Sequence, residues 1–227
     1  MKRVCKYAAA AAIIAFLVYQ SIYFKSLKDV KEQQQKEKFN AAQYARDFWD
    51  NQLFSVLDKA VDVKELIDLF NTNINEAIKR YGKTPGVSRI YAYLIKGNGT
   101  ILTVAEDFLE VSIKEPQANP DIKIMSGFYI PGNAVRDASG LIDVSEFTDT
   151  MKFNEVGSEI NKIVVKEVIK PFLEKKPKVG NTIRFFGATQ VAQDATEENL
   201  FGQLISRSTG TKEFQLIKVV PIRFELE

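Results

Sequence analysis

The first 24 residues are the most apolar stretch of the chain. Three basic residues precede an apolar run over residues 7–24, which only Gln20 and Ser21 interrupt. Eighteen helical residues rise about 27 Å, close to the ~30 Å hydrocarbon core of a bilayer. Residues 1–24 are therefore predicted to form an anchor that spans the membrane through residues 7–24. A signal peptide cleaved near Ser21–Ser26 is the alternative, but no site there has small residues at both required positions.

The charges that flank this segment predict where the rest of the chain lies. Short N-terminal tails with several positive charges usually stay in the cytoplasm, and this tail carries Lys2, Arg3 and Lys6. Residues 25–227 are therefore predicted to lie in the periplasm, outside the cytoplasmic membrane. The polar stretch 25–38 has oppositely charged pairs four residues apart and is predicted to be a helical spacer.

Helical periodicity follows the spacer. Apolar positions from Ala41 to Leu57 recur at three- and four-residue intervals and predict an amphipathic helix that includes Trp49 in its core face. Asp62 and Asn73 each have a glutamate three residues later, which is typical of a helix N-terminus. The last of these helices is predicted to end at Gly82. Residues 39–87 are thus predicted to form a small helical domain.

From Ser88 onward the apolar period changes to two, which indicates strands. Gly97-Asn98-Gly99 separates two such segments and predicts a hairpin between Ile90–Lys96 and Thr100–Ala105. Residues 132–150 are predicted to be irregular, and Asn154 is predicted to cap a helix that Pro171 kinks or shortens. Further strands are predicted over residues 108–113, 122–125, 128–130, 182–191, 214–220 and 222–226, with a long exposed loop over 193–212.

The order of these elements predicts the fold class. One helix inserted late in a series of antiparallel strands fits a small OB-like barrel, and a generic α+β sheet is the alternative. The full prediction is an α+β protein with an N-terminal transmembrane helix, a small helical domain and, over residues 88–227, an OB-like antiparallel β-barrel with one inserted helix.

Composition removes several kinds of chemistry. The chain has no histidine and a single cysteine, Cys5, so His-ligated metal sites, Ser-His-Asp catalysis and an intrachain disulfide are excluded. Outside residues 1–24 the chain carries 28 basic and 29 acidic residues, which is not the field of a nucleic-acid-binding protein. No catalytic motif, metal site, cofactor or nucleic-acid partner is predicted.

The segment Gly132–Asp137 is the candidate binding site. Gly132 and Asn133 allow a close approach of the backbone, and Arg136 beside Asp137 can hold a carboxylate or phosphate by two hydrogen bonds. In an OB-like barrel this connection is expected near the mouth, where such folds take ligands. The competing interpretation, which the sequence favours, is a turn that a local Arg–Asp pair holds together.

Other polar and aromatic groups have simpler interpretations. Aromatic residues on the predicted strands can stack on sugars but are more often core or cross-strand pairs; they are Tyr91, Tyr93, Phe128 and Tyr129. The acidic residues Asp143, Glu146, Asp149 and Glu155 lack the spacing of a calcium loop and are expected to be a solvated surface. A carboxylate enzyme would need residues such as Asp107, Asp137 and Asp143 to converge in one cleft.

Several short stretches together resemble a known family. They are Phe39-Asn-Ala-Ala with Tyr44 and Phe48-Trp-Asp, Lys96-Gly-Asn-Gly-Thr, Gly132-Asn-Ala-Val-Arg-Asp-Ala, Phe147-Thr-Asp-Thr-Met-Lys-Phe, Gly180-Asn-Thr-Ile-Arg-Phe-Phe-Gly-Ala and Val220-Pro-Ile-Arg-Phe-Glu. The ordered set is similar to the DUF2291 family, described as predicted periplasmic lipoproteins of unknown function. The resemblance implies a small helical domain joined to an OB-like domain. It also implies a link to sugar ABC transporters, because the family's genes often lie beside those of ribose-type systems.

One feature departs from the family description. The cysteine of a lipobox follows the apolar segment, whereas Cys5 precedes it, which favours a transmembrane over a lipid anchor. The function predicted is that of a membrane-anchored periplasmic binding or accessory protein without catalysis, with a sugar ABC transporter component or an envelope protein as partner. The alternatives are a carboxylate-dependent enzyme acting on glycans and a structural envelope protein that binds other proteins.

Overall fold

The computed structural model describes residues 39–114, 119–193 and 216–226, together with Phe16. The predicted membrane segment 1–24, apart from Phe16, and the predicted spacer 25–38 lie outside these residues. The same holds for nearly all of the predicted loop 193–212. Among the residues that are described, none of the helices combines the length and the apolar character needed to cross a membrane.

Three helical segments precede the strands of the barrel, as predicted. The first begins as α1 (Ala41–Asp47), widens into a π-helical turn (Phe48–Gln52) and tightens into a 3-10 helix (Leu53–Lys59). After the short strand β1 (Val61–Asp62), α2 (Val63–Thr72) and α3 (Ile74–Tyr81) follow. Asp62 and Asn73 cap them, each accepting a hydrogen bond from a backbone N–H of the first turn. The predicted caps and the end at Gly82 are confirmed.

Five strands close into a barrel. They are β2 (Ile90–Val104), β3 (Phe108–Ser112), β4 (Ile122–Met125), β5 (Thr182–Ala192) and β6 (Ile217–Leu226). Around the barrel the order is β2-β3-β4-β6-β5, and β5 pairs with β2 to complete the ring. The β4–β6 pair is parallel and the other barrel pairs are antiparallel. This is the five-stranded arrangement of an OB-fold, as predicted.

The hairpin predicted at Gly97-Asn98-Gly99 is wrong. β2 runs through these residues without a turn and pairs with β5 from Ile90 to Thr100. Both positions need glycine because neighbouring atoms leave no room for a Cβ. A Cβ on Gly97 would lie 2.6 Å from Val63 Cγ1, and one on Gly99 would lie 2.6 Å from the Ser112 carbonyl oxygen. Glycine inside a strand often marks such a close approach.

The connection between β4 and β5 is more helical than predicted. Residues 128–130 are not a strand, and the stretch expected to be irregular contains α4 (Ala134–Ser139) and a 3-10 helix (Val144–Glu146). The long helix then begins at Asp149, not at Asn154, because Asp149 Oδ1 accepts the Lys152 N–H at 2.8 Å. It comprises α5 (Thr150–Ile163), a second π-helical turn (Val164–Ile169) and α6 (Lys170–Glu174).

Two prolines are accommodated without ending their elements. The π-helical turn closes with the Lys170 N–H bonded to the Val165 carbonyl, directly before Pro171, which has no N–H to donate. The helix therefore continues to Glu174. The two strands predicted over 214–220 and 222–226 are one strand in the structure. A register shift opposite Phe186 and Gly187 lets β6 pass through Pro221.

Buried apolar side chains line the barrel interior, and the helices share this core. Side chains from α2 and α3 pack into the same cluster as the inward side chains of all five barrel strands, with Phe70 edge-on to Tyr93 at 5.1 Å. Residues of β2 to β6 such as Ile95, Ile101 and Phe185 are at most 1% exposed. These buried side chains form one core that the helices and the barrel share.

Candidate functional site

The predicted site residues at the start of α4 form a buried polar cluster. Arg136 Nε donates to Asp137 Oδ1 at 2.7 Å, and both side chains are buried, with exposures of 3% and 8%. Arg136 also donates to the Phe153 carbonyl at 2.7 Å, and its guanidinium lies 3.4 Å from the centre of the Phe153 ring. On the other side, Gln190 Nε2 donates to Asp137 Oδ2 at 2.8 Å. The pair thus ties α4 to α5 and to the outer side of β5.

Gly132 and Asn133 serve the same junction. Gly132 has a φ of 76°, which favours glycine, and its carbonyl accepts a hydrogen bond from Asn161 Nδ2 at 2.8 Å. The Asn133 side chain lies against Gly157 so closely that a Cβ there would collide with it. The absence of a side chain at Gly157 therefore lets α5 approach α4.

Electrostatics agrees with a structural role for this cluster. Burial lowers the pKa of Arg136 and raises the pKa of Asp137, because each charged form loses its water, while the attraction between the two opposes both shifts. The donors of Arg136 that would otherwise hold an anion are used within the protein, Nε for Asp137 and NH1 for the Phe153 carbonyl, and Gln190 donates to the Asp137 carboxylate. The geometry therefore favours the second sequence interpretation, a structural Arg–Asp pair, which here lies within a helix.

The predicted aromatic residues do not form one surface. Tyr93 is fully buried in the core, and Tyr91 packs against the same core. Phe128 and Tyr129 are 76% and 78% exposed on the loop after β4. The prediction that strand aromatics are core residues is therefore confirmed for the two tyrosines of β2. Trp49 is also buried as predicted, with an exposure of 4%.

The carboxylates proposed for catalysis occupy separate local structures. The backbone carbonyl of Asp107 accepts hydrogen bonds from Ser126 and Gly127 at the turn between β2 and β3. Asp137 is buried beside Arg136, and Asp143 caps the 3-10 helix with its side chain bonded to Ser145. Glu146 accepts a hydrogen bond from Tyr44, whose pKa burial and this bond raise to about 12. In the described ranges, no group of three or more His, Cys, Asp or Glu could hold a metal ion.

An aromatic groove lies where the first helix, α6 and β6 meet. Its volume is about 420 Å³. Phe172 and Phe224 stack at 4.2 Å between ring centres, and Trp49 and Phe54 meet edge-on at 6.0 Å. Phe54 is 45% exposed although it is a large apolar residue. The charged side chains Glu167, Lys175 and Arg223 also line the groove.

Both π-helical turns contribute to this aromatic groove. Trp49 belongs to the first turn, whereas Glu167 and Val168 belong to the second. Arg46 donates to Glu167 at 2.5 Å and so connects the two helices beside the groove. π-Helical turns are rare and frequently occur at functional sites. The groove is therefore the strongest candidate for a binding site in the part of the chain that the structure describes.

Sequence reasoning did not find this groove. Its aromatic residues come from three segments far apart in the chain, and Trp49, Phe172 and Phe224 were each assigned to a helix or a strand. The one local signal was Phe54, which stands off the apolar stripe that contains Trp49 and Leu53. The apolar positions from Ala41 to Leu57 keep three- and four-residue intervals across the π-helical turn, so the periodicity did not reveal it.

The fold defines an α+β protein with an OB-fold barrel and a small helical region, and a comparison with solved structures agrees. An OB-fold protein from Thermotoga maritima, known from a crystal structure, is similar to this chain with a TM-score of 0.68 and 25% sequence identity. The likeness covers 84% of this chain and 100% of that chain. The comparison with curated proteins gives no match.

The family assignment is equally clear. The sequence model of the DUF2291 family, described as a predicted periplasmic lipoprotein, matches residues 12–201. The chain therefore belongs to the DUF2291 family, and the resemblance found in its motifs is confirmed. The family description indicates an extracytoplasmic location.

Proposed function

We propose that the protein is a membrane-anchored periplasmic accessory protein that binds a small ligand in the aromatic groove and does not transform it. The observation that carries the proposal is the groove itself, where two π-helical turns and β6 bring aromatic and charged side chains together. Ligand sites usually combine an apolar lining with a few placed polar groups.

A sugar is the ligand class that suits this lining. The apolar C–H faces of a pyranose can rest on Phe54 and Phe224, while Glu167, Lys175 and Arg223 offer hydrogen-bonding groups for hydroxyls. A groove of about 420 Å³ has room for a monosaccharide or disaccharide. A sugar ABC transporter component is the partner that this proposal favours, and an envelope protein is the alternative.

Trp49 provides a direct test, since it is the only tryptophan of the chain and lines the groove. Titration of the full-length protein with ribose, glucose or galactose should change the Trp49 fluorescence. Phe54→Ala should weaken binding of the active sugar about tenfold, measured by calorimetry, because one face of the stacking surface is lost. Phe128→Ala, an exposed aromatic away from the groove, should leave the affinity unchanged.

The outcomes separate the competing functions. Sugar binding that Phe54→Ala leaves intact would place the ligand elsewhere. If the protein converted the sugar chemically, and replacing a single carboxylate abolished this conversion, the protein would be a glycan-active enzyme and not a binding protein. Capture of an envelope protein without any response to sugars would support the structural alternative.

We also propose that residues 1–24 remain attached as a transmembrane anchor. The mature protein should then have its full-length mass and stay with the membranes after a high-salt wash. Cys5→Ser should not release it, because Cys5 precedes the apolar segment and is not in a lipobox position. Release by Cys5→Ser would indicate a lipid anchor, and a soluble form without these residues would indicate cleavage near Ser21–Ser26.

A further inference from the structure

A second groove runs over the outer face of β2, β5 and β6, and its volume is about 450 Å³. Side chains of the three strands form two cross-strand rows there. In the first row Lys96 is opposite Phe186, and Phe186 is opposite Arg223; in the second, Asn98 is opposite Arg184, and Arg184 is opposite Glu225. We call this surface the cationic groove. Directly opposite side chains lie about 5 Å apart at Cβ, so the Phe186 side chain lies between those of Lys96 and Arg223.

Two arginines of the cationic groove approach one carboxylate. Arg223 NH2 lies 2.7 Å from Glu225 Oε1, and Arg184 NH1 lies 3.9 Å from Glu225 Oε2. Both guanidinium groups are more than half exposed, and Glu225 is 40% exposed. Ion pairs at such exposure contribute only about 0–1 kcal/mol. The Glu225 carboxylate can therefore be displaced by another carboxylate at little cost.

The charge of the groove favours an added anion. Among the residues that the structure describes, its lining contains three cationic residues and two acidic ones, Asp62 and Glu225. The Asp62 carboxylate is already used as a helix cap, because it accepts the Lys64 N–H at 2.9 Å. Lys96 lies opposite Phe186 and makes no ion pair with any residue that the structure describes. Lys96, Arg184 and Arg223 line the groove from the three neighbouring strands β2, β5 and β6.

We propose that the cationic groove binds a small organic carboxylate, with the carboxylate in the position of Glu225 and its apolar body on Phe186. Guanidinium groups hold carboxylates by two parallel hydrogen bonds, which a lysine cannot do. The half-buried Phe186 ring lies between Lys96 and Arg223 in the first row. It supplies apolar surface next to the charge.

This site differs from the one that OB-folds commonly use. Such folds take their ligands on the face of the second and third barrel strands, which here are β3 and β4. The cationic groove lies on the first, fourth and fifth barrel strands. It does not depend on sugar binding, although Arg223 also lines the aromatic groove.

Calorimetric titration of the full-length protein in a non-ionic detergent tests the proposal. Benzoate should bind, and its neutral isostere benzamide should not. Arg184→Gln and Arg223→Gln should each weaken benzoate binding at least fivefold. Arg80→Gln removes an exposed arginine with the same kind of glutamate partner elsewhere on the surface and should leave the affinity unchanged.

Glu225→Gln is the decisive variant. If Glu225 occupies the position of the ligand carboxylate, its removal should strengthen benzoate binding about two- to fivefold, the gain expected from losing an exposed competing ion pair. Unchanged or weaker binding in Glu225→Gln would overturn the proposal. Phe186→Leu should weaken the binding of benzoate more than that of acetate.

Three results would reject the assignment. Equal binding of benzamide would show that charge is not recognised. Tighter binding of inorganic phosphate than of benzoate would identify a phosphate site instead. Loss of affinity in the arginine variants that parallels a loss of thermal stability, with Arg80→Gln showing the same loss, would make the effect structural.

Discussion

Replacing Arg136 with alanine should lower the free energy of unfolding by about 3–5 kcal/mol, the cost of leaving a buried charge without its partner. Asp137 would remain buried with only Gln190 as a side-chain donor. The Phe153 carbonyl would lose the donor that joins α4 to α5. Urea unfolding of the full-length protein, followed by far-UV circular dichroism, measures the change.

Two further variants show whether burial causes the effect. Arg80→Ala removes an exposed arginine that is bonded to Glu76 at 2.6 Å, and it should cost only about 0–1 kcal/mol. Arg136→Lys keeps the charge but loses the forked geometry of the guanidinium group. The free energy of unfolding of this variant should therefore stay well below that of the wild type. Ligand loss in Arg136→Ala without any change in stability would restore Arg136 as a binding residue.

Gly99→Ala should destabilise the protein by about 1–3 kcal/mol, the usual cost of overpacking. The new methyl group would lie 2.6 Å from the Ser112 carbonyl oxygen and 2.6 Å from Val111 Cγ1. The first of these is backbone of the neighbouring strand and can move only if β2 and β3 separate. Thermal unfolding by calorimetry gives the change in stability.

Asn98→Ala is the matched control, because Asn98 is the exposed neighbour of Gly99 in the same strand. In a continuous strand this change should stay within about 0.5 kcal/mol. In the hairpin predicted from the sequence, Asn98 would instead be a turn residue, and its loss would be costly. A large effect at Asn98 with a small one at Gly99 would contradict the strand pairing.

Local signals in the sequence were sufficient to predict most of the fold. The caps Asp62 and Asn73 and the apolar stripes predicted the first helices, since a cap and its periodic face lie within a few residues of each other. The segment Ile122–Met125 was predicted with its observed bounds, and its burial alternates along the strand as the two-residue period of a strand requires. The succession of these elements was enough to predict the OB-like barrel.

Where prediction failed, the cause was tertiary contact. The local sequence around Gly97 and Gly99 is typical of a turn. In the structure they are glycines because a Cβ at either position would collide with Val63 or with a neighbouring strand. The six residues of α4 include Arg136 and Asp137, which are buried and bonded to Phe153 and Gln190, 17 and 53 positions away. Both grooves are likewise assembled from distant segments, so no local pattern could indicate them.

The pairing of β2 with β5, which closes the barrel, also governs how the molecule folds. Ile90 pairs with Ala192 and Thr100 with Thr182, so about eighty to one hundred residues separate the partners. Contacts of such long range slow folding, whereas the helices of residues 41–81 need only local contacts. Until residues 182–226 join, β2 and β4 each have an unpaired edge, which is prone to aggregation. A chain truncated before Thr182 is therefore expected to aggregate and not to form a stable half-barrel.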